Sequence, residues 1–148
     1  IGGQWISPDQ TELTALVGPI NENTAIIIEE SIEIHKELGP GLLESVYEVI
    51  LTKRLRDRGL EAVRQVMVPI IYQGHRFDEA FRLDLLVEGK VVVELKSLEV
   101  MPLVHFKKVT TYLRLTGHEV ALLINFGAAR LKDGLHRVVN KYAGPLPG

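Results

Sequence analysis

Two carboxylates and a lysine set along a short hairpin constrain the fold of this chain more than any other feature. Arg82-Leu83-Asp84 leads into a turn at Glu88-Gly89-Lys90, and Val93-Glu94-Leu95-Lys96 follows. Side chains alternate faces along a strand, so Glu94 and Lys96 share a face and Leu95 points the other way. Asp84 lies opposite Glu94 only if the pairing is centred on Gly89. That requires an odd loop, most simply Glu88, Gly89 and Lys90, with the glycine supplying a positive φ. A two-residue turn at Glu88-Gly89 would pair Asp84 with Val93 and send Glu94 to the far face. The spacing therefore predicts an odd loop or a bulge. Grouped this way, the carboxylates make a hard-cation site and the ammonium can orient a water. The competing reading of the same residues is a cross-strand salt-bridge cluster. Both strands are otherwise apolar on both faces, the mark of strands buried between layers, where a charge is costly unless paired or metal-bound.

Around the hairpin the pattern gives alternating helices and strands. Asn21 or Asn23 is placed to cap a helix from about Thr24 to Leu38, with apolar positions at Ile28, Ile32 and Leu38, stopped by Gly39-Pro40-Gly41. A second helix runs from about Leu43 to Arg58 and ends at Gly59. Ala62 to Tyr72, rich in Val and Ile, reads as a strand, with a turn at Gln73-Gly74. Phe81 to Val87 and Lys90 to Lys96 are the hairpin strands. Pro102 suits the first turn of a third helix, to about Leu115, closed by Gly117. Glu119 to Ile124 reads as another buried strand, and Leu135 to Val139 as a last strand or short helix. The core order is helix, three strands, helix, strand. Residues 1–20 carry Gly2, Gly3, Pro8, Gly18 and Pro19 with little periodicity, and are expected to form an extension or arm, with Trp5 docking on the body or on a neighbouring subunit. The domain is expected over residues 21–142, with a tail at 143–148.

At 148 residues the chain is one domain by length, with enough apolar sequence, 46%, for a sizeable core. It has no cysteine, which excludes disulfides and thiolate metal sites and fits a reducing compartment. No apolar run approaches the roughly 20 residues of a membrane span. Residues 1–20 do not resemble a signal peptide, because Gln4, Asp9 and Glu12 interrupt any apolar core. A cytoplasmic location is the expectation. The net charge of −2 does not announce a nucleic-acid binder. Basic residues do cluster locally: Lys53, Arg54, Arg56 and Arg58; Lys107, Lys108 and Arg114; Arg130, Lys132, Arg137 and Lys141. The first cluster reads better as a solvated helix end than as a phosphate surface. None of the five histidines pairs at metal-ligand spacing. His105, the one nearest the hairpin site, reads as a surface or first-turn histidine. No nucleophile elbow and no phosphate-cradling glycine loop occurs.

The stretch Gly41-Leu42-Leu43-Glu44-Ser45-Val46-Tyr47-Glu48 resembles the signature of the bacterial GxxExxY proteins. The resemblance continues through Arg82-Leu83-Asp84-Leu85-Leu86-Val87, Glu94-Leu95-Lys96, Tyr112-Leu113, Leu122-Leu123-Ile124-Asn125-Phe126 and Leu131-Lys132-Asp133-Gly134, and covers about residues 24–140. That family is placed in the PD-(D/E)XK nuclease superfamily. The resemblance implies an α/β fold with a restriction-endonuclease-like three-layer core, α-β-β-β-α-β, its mixed central sheet flanked by helices. It matches Asp84 to the motif aspartate, Glu94 to the second acid, Lys96 to the motif lysine, and Glu44 to the acid of the first core helix. The third helix of many members carries a Gln four residues before a Tyr. Here Tyr112 is present and Lys108 stands at the Gln position.

The implied activity is Mg²⁺- or Mn²⁺-dependent hydrolysis of phosphodiester bonds, with DNA ahead of RNA as substrate. Asp84 and Glu94 would be metal ligands, the Leu95 carbonyl a third, and Glu44 a fourth, directly or through a water. Lys96 would position the attacking water or offset transition-state charge. Lys108, Tyr112, Arg82 and Tyr47 are the candidates for nucleic-acid contacts. Glu44 also has a plainer role, a carboxylate complementing the dipole at a helix start, and Tyr47 reads first as a core residue with its hydroxyl bonded. A homo-oligomer would suit cleavage of two strands. The rival functions are a nuclease fold turned binding or assembly module, and metal-dependent action on a phosphorylated small molecule.

Overall fold

A computed structural model describes residues 3–6 and 19–141 of the chain. In chain order the elements are β1 (Gly3–Ile6), α1 (Pro19–Leu38), α2 (Glu44–Asp57), β2 (Ala62–Tyr72), β3 (His75–Val87), β4 (Val91–Lys96), α3 (Leu103–Thr116), β5 (Val120–Asn125), the single turn α4 (Leu131–Gly134) and β6 (Leu135–Asn140). One six-stranded sheet has the order β1-β6-β5-β4-β3-β2. The pair β4–β5 is parallel, with α3 as its crossover, and the other pairs are antiparallel. The sheet is thus mixed, and the three-layer α/β reading of the sequence holds.

The layers follow from period-two burial on the central strands. Val91, Val93 and Leu95 of β4, with Val120, Leu122 and Ile124 of β5, face α1 and α2. Val92 of β4, with Ala121 and Leu123 of β5, faces Val109 and Leu113 of α3. Both faces of β4 and β5 are therefore largely dry, which is why these strands read as near-continuous apolar runs, interrupted on β4 by Glu94 and Lys96.

Several expectations are corrected. Helix α1 begins at Pro19, ahead of the expected caps; Asn21 Oδ1 instead accepts a hydrogen bond from Arg137 Nη2 at 2.8 Å. Its buried residues include Ile27, Ile28 and Ile34, whereas Leu38 is exposed. Pro102 is the residue before α3, with φ −65° and ψ 143°, and not in its first turn. Strand β3 starts six residues earlier than Phe81, because β2 and β3 pair out to the turn at Gln73-Gly74. Of the expected arm, Gly3–Ile6 forms an edge strand on β6, with Trp5 opposite Val138. The docking of Trp5 and residues 1–2 and 7–18, like the tail at 143–148, fall outside the described residues. Among the described residues, no helix is long and apolar enough to cross a membrane.

The basic cluster on α2 is spent internally. Arg54 and Arg58 bind Glu30 at 2.7 Å each, Lys53 pairs with Asp57 at 3.0 Å, and Arg56 donates to the Ala62 carbonyl. Burial works against the charge of Glu30, but the two arginines outweigh it and hold its carboxyl below the usual range.

Candidate active site

The hairpin loop is the predicted odd one. Val87 pairs with Val91, Leu86 with Val92 and Leu85 with Val93, a register centred on Gly89. The Lys90 amide donates to the Val87 carbonyl at 3.0 Å, and Glu88 and Gly89 both have positive φ, 54° and 63°. Continued by one step, this register brings Asp84 opposite Glu94.

At that step the ladder ends, and Asp84 takes over. Its Oδ2 accepts the Leu95 amide at 2.8 Å, in place of a main-chain carbonyl. A distortion in β3 and its outer neighbour allows this. Leu85 and Val87 belong to the core under α1 and α2, whereas Leu83 and Leu86 belong to the core under α3. Residues 83 and 85 would share a face in a regular strand, so β3 changes face at Asp84. Opposite it on β2, between the pairs Arg64–Leu85 and Val66–Leu83, Gln65 has φ 55°. A non-glycine residue in the left-handed region is held there by its surroundings. The holder is Glu48 of α2, which is buried. It accepts Gln65 Nε2 at 2.8 and 3.0 Å and Arg64 Nε at 2.8 Å.

Glu94 and Lys96 share the face of Val92, toward α3. Glu94 is only 6% exposed, and its Oε1 has no hydrogen-bond partner. Burial, then the charge of Asp84, pushes its carboxyl up to about 8, with a hydrogen bond shared between the two carboxyls adding to the rise, against the pull of Lys96 and Lys108. Burial also raises Asp84, with Glu48 adding to the rise. Lys96 Nζ stands 3.9 Å from Glu94 Oε2 and 4.0 Å from Glu44 Oε1. These long contacts are not the tight bonds of a closed salt-bridge cluster. Leu95 donates its amide toward β3, while the Lys96 carbonyl accepts from Phe126 beside β5. Main-chain groups alternate edges along a strand, so the Leu95 carbonyl opens on the Asp84 side.

Helix α3 closes one side. Tyr112 stacks on Phe81, with ring centroids 4.4 Å apart and planes 3° apart. Its hydroxyl is raised by burial, then by Glu94 and Asp84. Lys108 is exposed one turn earlier, near enough to act on Glu94. His105 sits in the first turn, half-buried, with Nδ1 lacking a partner, and is lowered by burial, then by Lys96 and Lys108. Arg82 is exposed on β3.

Of the two readings of Tyr47 the core one fits, and Glu44 is found beside Lys96. Tyr47 cannot touch a substrate: it is fully buried, its ring stacks on Phe126 at 4.3 Å, and its hydroxyl donates to the Gly39 carbonyl at 2.6 Å. It shapes the Gly39–Leu42 loop instead. Glu44 turns to Lys96 and does not gather with the two acids; among the described residues no three acids or histidines converge on one point. The residue missed by sequence reasoning is Glu48. The available signal was an acid between Tyr47 and Leu51 on the buried face of α2, where a charge needs partners.

A family model of the PD-(D/E)XK nuclease superfamily matches residues 21–138. The chain belongs to this superfamily. No curated protein and no solved structure matches it significantly. Nucleases of this superfamily generally use divalent metals, so the donor set can be tested for fit. A buried carboxylate with an unpartnered oxygen, a second carboxylate beside it and a main-chain carbonyl at the same strand edge suit a hard cation that keeps several waters.

Proposed function

We propose that this superfamily member hydrolyses phosphodiester bonds in nucleic acid, DNA ahead of RNA, with Mg²⁺ or Mn²⁺ held by Asp84, Glu94 and the Leu95 carbonyl, and that it is one of the GxxExxY proteins. The observation that carries this reading is Glu94: a carboxyl buried beside another acid, raised to about 8, with Oε1 unpartnered. Such a group costs the fold free energy unless a proton or a cation joins it. A divalent cation, when bound, activates water and relieves charge on the phosphoryl oxygens.

The chain's own residues do the rest. Without a cation, Glu94 keeps a proton near neutral pH, and a cation must displace it. Asp84 is fixed in orientation by the Leu95 amide, so one oxygen is aimed before any ligand arrives. Lys96 is a point charge for the anionic phosphorus oxygens. Glu44, within reach of that ammonium, orients it. Lys108 and Arg82 are exposed cations for neighbouring phosphates, and the Tyr112 hydroxyl is close enough to feel the charge of both acids. A cytoplasmic nuclease is the setting that fits.

Titrating Mg²⁺ or Mn²⁺ calorimetrically into the wild type and an Asp84→Ala/Glu94→Ala variant, with a cleavage assay on the same samples, tests this reading. Binding and cleavage should both be present in the wild type and both vanish in the variant. Binding without cleavage of any polymer would point to a phosphorylated small molecule. No binding in either protein would favour the second reading, a binding module with a degenerate site, to which the lack of a third converging acid among the described residues lends some weight.

A further inference from the structure

At Glu44 lies a groove of about 640 Å³. One wall is the end of the Gly39–Leu43 loop and the start of α2, with Leu43 and Ser45; the other is the segment after β4, with Ser97 and Glu99; Gly127 is at the floor. Glu44 belongs to both groove and site, since it lines the first and reaches Lys96 of the second at 4.0 Å.

The walls are held at a set distance. Ser97 Oγ donates to the Leu42 carbonyl at 2.6 Å. Asn125 clasps Leu98 from both sides, donating to its carbonyl and accepting its amide, each at 2.9 Å. A side chain at Gly127 would collide with the Leu98 main chain, so the two segments pack this closely only with glycine there.

The lining chemistry is the opposite of a phosphate track. Among the described residues no lysine or arginine lines the groove, and two carboxylates, Glu44 and Glu99, do. Its apolar part is set by leucines: Leu42, Leu43 and Leu98 line it, and Leu43 is 74% exposed. A sugar-phosphate backbone would be repelled here. A base offers an apolar face to the leucines, and amino groups or sugar hydroxyls to the carboxylates and serines. A paired base buries its face in the stack and cannot enter.

We propose that this groove seats one unpaired nucleoside, next to the phosphate attacked at Lys96, so that the substrate is single-stranded or locally unpaired. The inference rests on the nuclease reading for the position of that phosphate.

The test is a short oligonucleotide labelled for fluorescence anisotropy and carrying a single 2-aminopurine. It is measured in Ca²⁺, single-stranded and as a duplex, with wild-type protein and with Ser45→Trp, which fills the groove from an exposed position. A cleavage assay in Mg²⁺ runs in parallel. The expected result is single-strand affinity at least tenfold above duplex affinity, a change in 2-aminopurine emission on binding, and at least a tenfold loss of single-strand affinity in Ser45→Trp. The circular dichroism of the variant should be unchanged; Leu43→Ser, which removes the apolar surface without adding charge, serves as the second groove variant if Ser45→Trp fails to fold. Equal or tighter duplex binding overturns the proposal, and so does single-strand affinity indifferent to both variants, even if cleavage persists. Groove-dependent single-strand binding without metal-dependent cleavage leaves the proposal standing and removes the nuclease reading. A protein that binds no polynucleotide but seats an apolar peptide in this groove also overturns it.

Discussion

Asp84 meets the Leu95 amide where β3 and β4 part, at 2.8 Å, and this one hydrogen bond joins the end of a ladder to the start of a site. A carboxylate stands where the next carbonyl rung would have been. The acid is thereby fixed by main chain, and its neighbour Glu94 is left with a buried charge to neutralise.

Stability without metal should therefore fall as pH rises. The Glu94 carboxyl lies at about 8 in the fold against 4.5 for an ordinary one, so the folded state holds a proton the unfolded state has lost. The stabilising proton is fully in place below about 4.5 and is lost as pH climbs through about 8. Thermal denaturation in EDTA should show the decline across that window. Glu94→Gln should flatten it and be the more stable protein at pH 8, by about 1–3 kcal/mol. A wild-type melting temperature that rises from pH 5 to 8 would contradict this account.

Removing the Lys96 ammonium separates chemistry from metal binding. Lys96→Met keeps most of the side-chain volume and removes a charge aimed at the phosphoryl group. Cleavage should drop by about 10²–10³-fold, with Mg²⁺ binding still measurable by calorimetry. Undiminished cleavage would take Lys96 out of the reaction.

Glu48 positions the site from below. In Glu48→Ala, Arg64 and Gln65 lose a buried partner, at a cost of about 2–4 kcal/mol, and the left-handed Gln65 opposite Asp84 loses its restraint. Urea denaturation should record the first effect. The second should appear as weakened Mn²⁺ affinity in samples confirmed as folded. Metal affinity equal to wild type would mean that β3 keeps its turn at Asp84 without this support.

Tyr47→Phe probes the loop and not the substrate. It deletes one hydroxyl that joins Gly39 and Leu42, so stability should fall by about 1–2 kcal/mol. Duplex affinity should not change, because the ring is wholly buried.

The loop geometry was legible in the sequence because two strong rules met there: period-two alternation on buried strands and a glycine at the only centre that brings the two acids together. The layered order of helices and strands was legible for the same reason, since β4 and β5 are largely dry on both faces. The outer half of β3 was not. His75, Arg76, Asp78 and Glu79 are all exposed, so no alternation marks them as strand. The turn of β3 at Asp84 was hidden because its partner in the left-handed region is a glutamine, and nothing local announces that conformation. Glu48 and Gln65 are seventeen positions apart in the chain, and their bond exists only once α2 lies on the sheet. The start of α1 went astray because Asn21 is engaged by Arg137 from β6, a tertiary demand that overrides capping preference.

Strand β4 stands fourth in a sheet of six, bonded to β3 on one edge and to β5 on the other. Fraying that starts at β2 must release β3 before it loosens Glu94, and fraying from β1 must undo both β6 and β5. Glu94 and Lys96 therefore ride on the last part of the sheet to open, with Asp84 one strand out on β3. Their amides should exchange with solvent only through complete unfolding, and heat should extinguish the site together with the fold and not ahead of it.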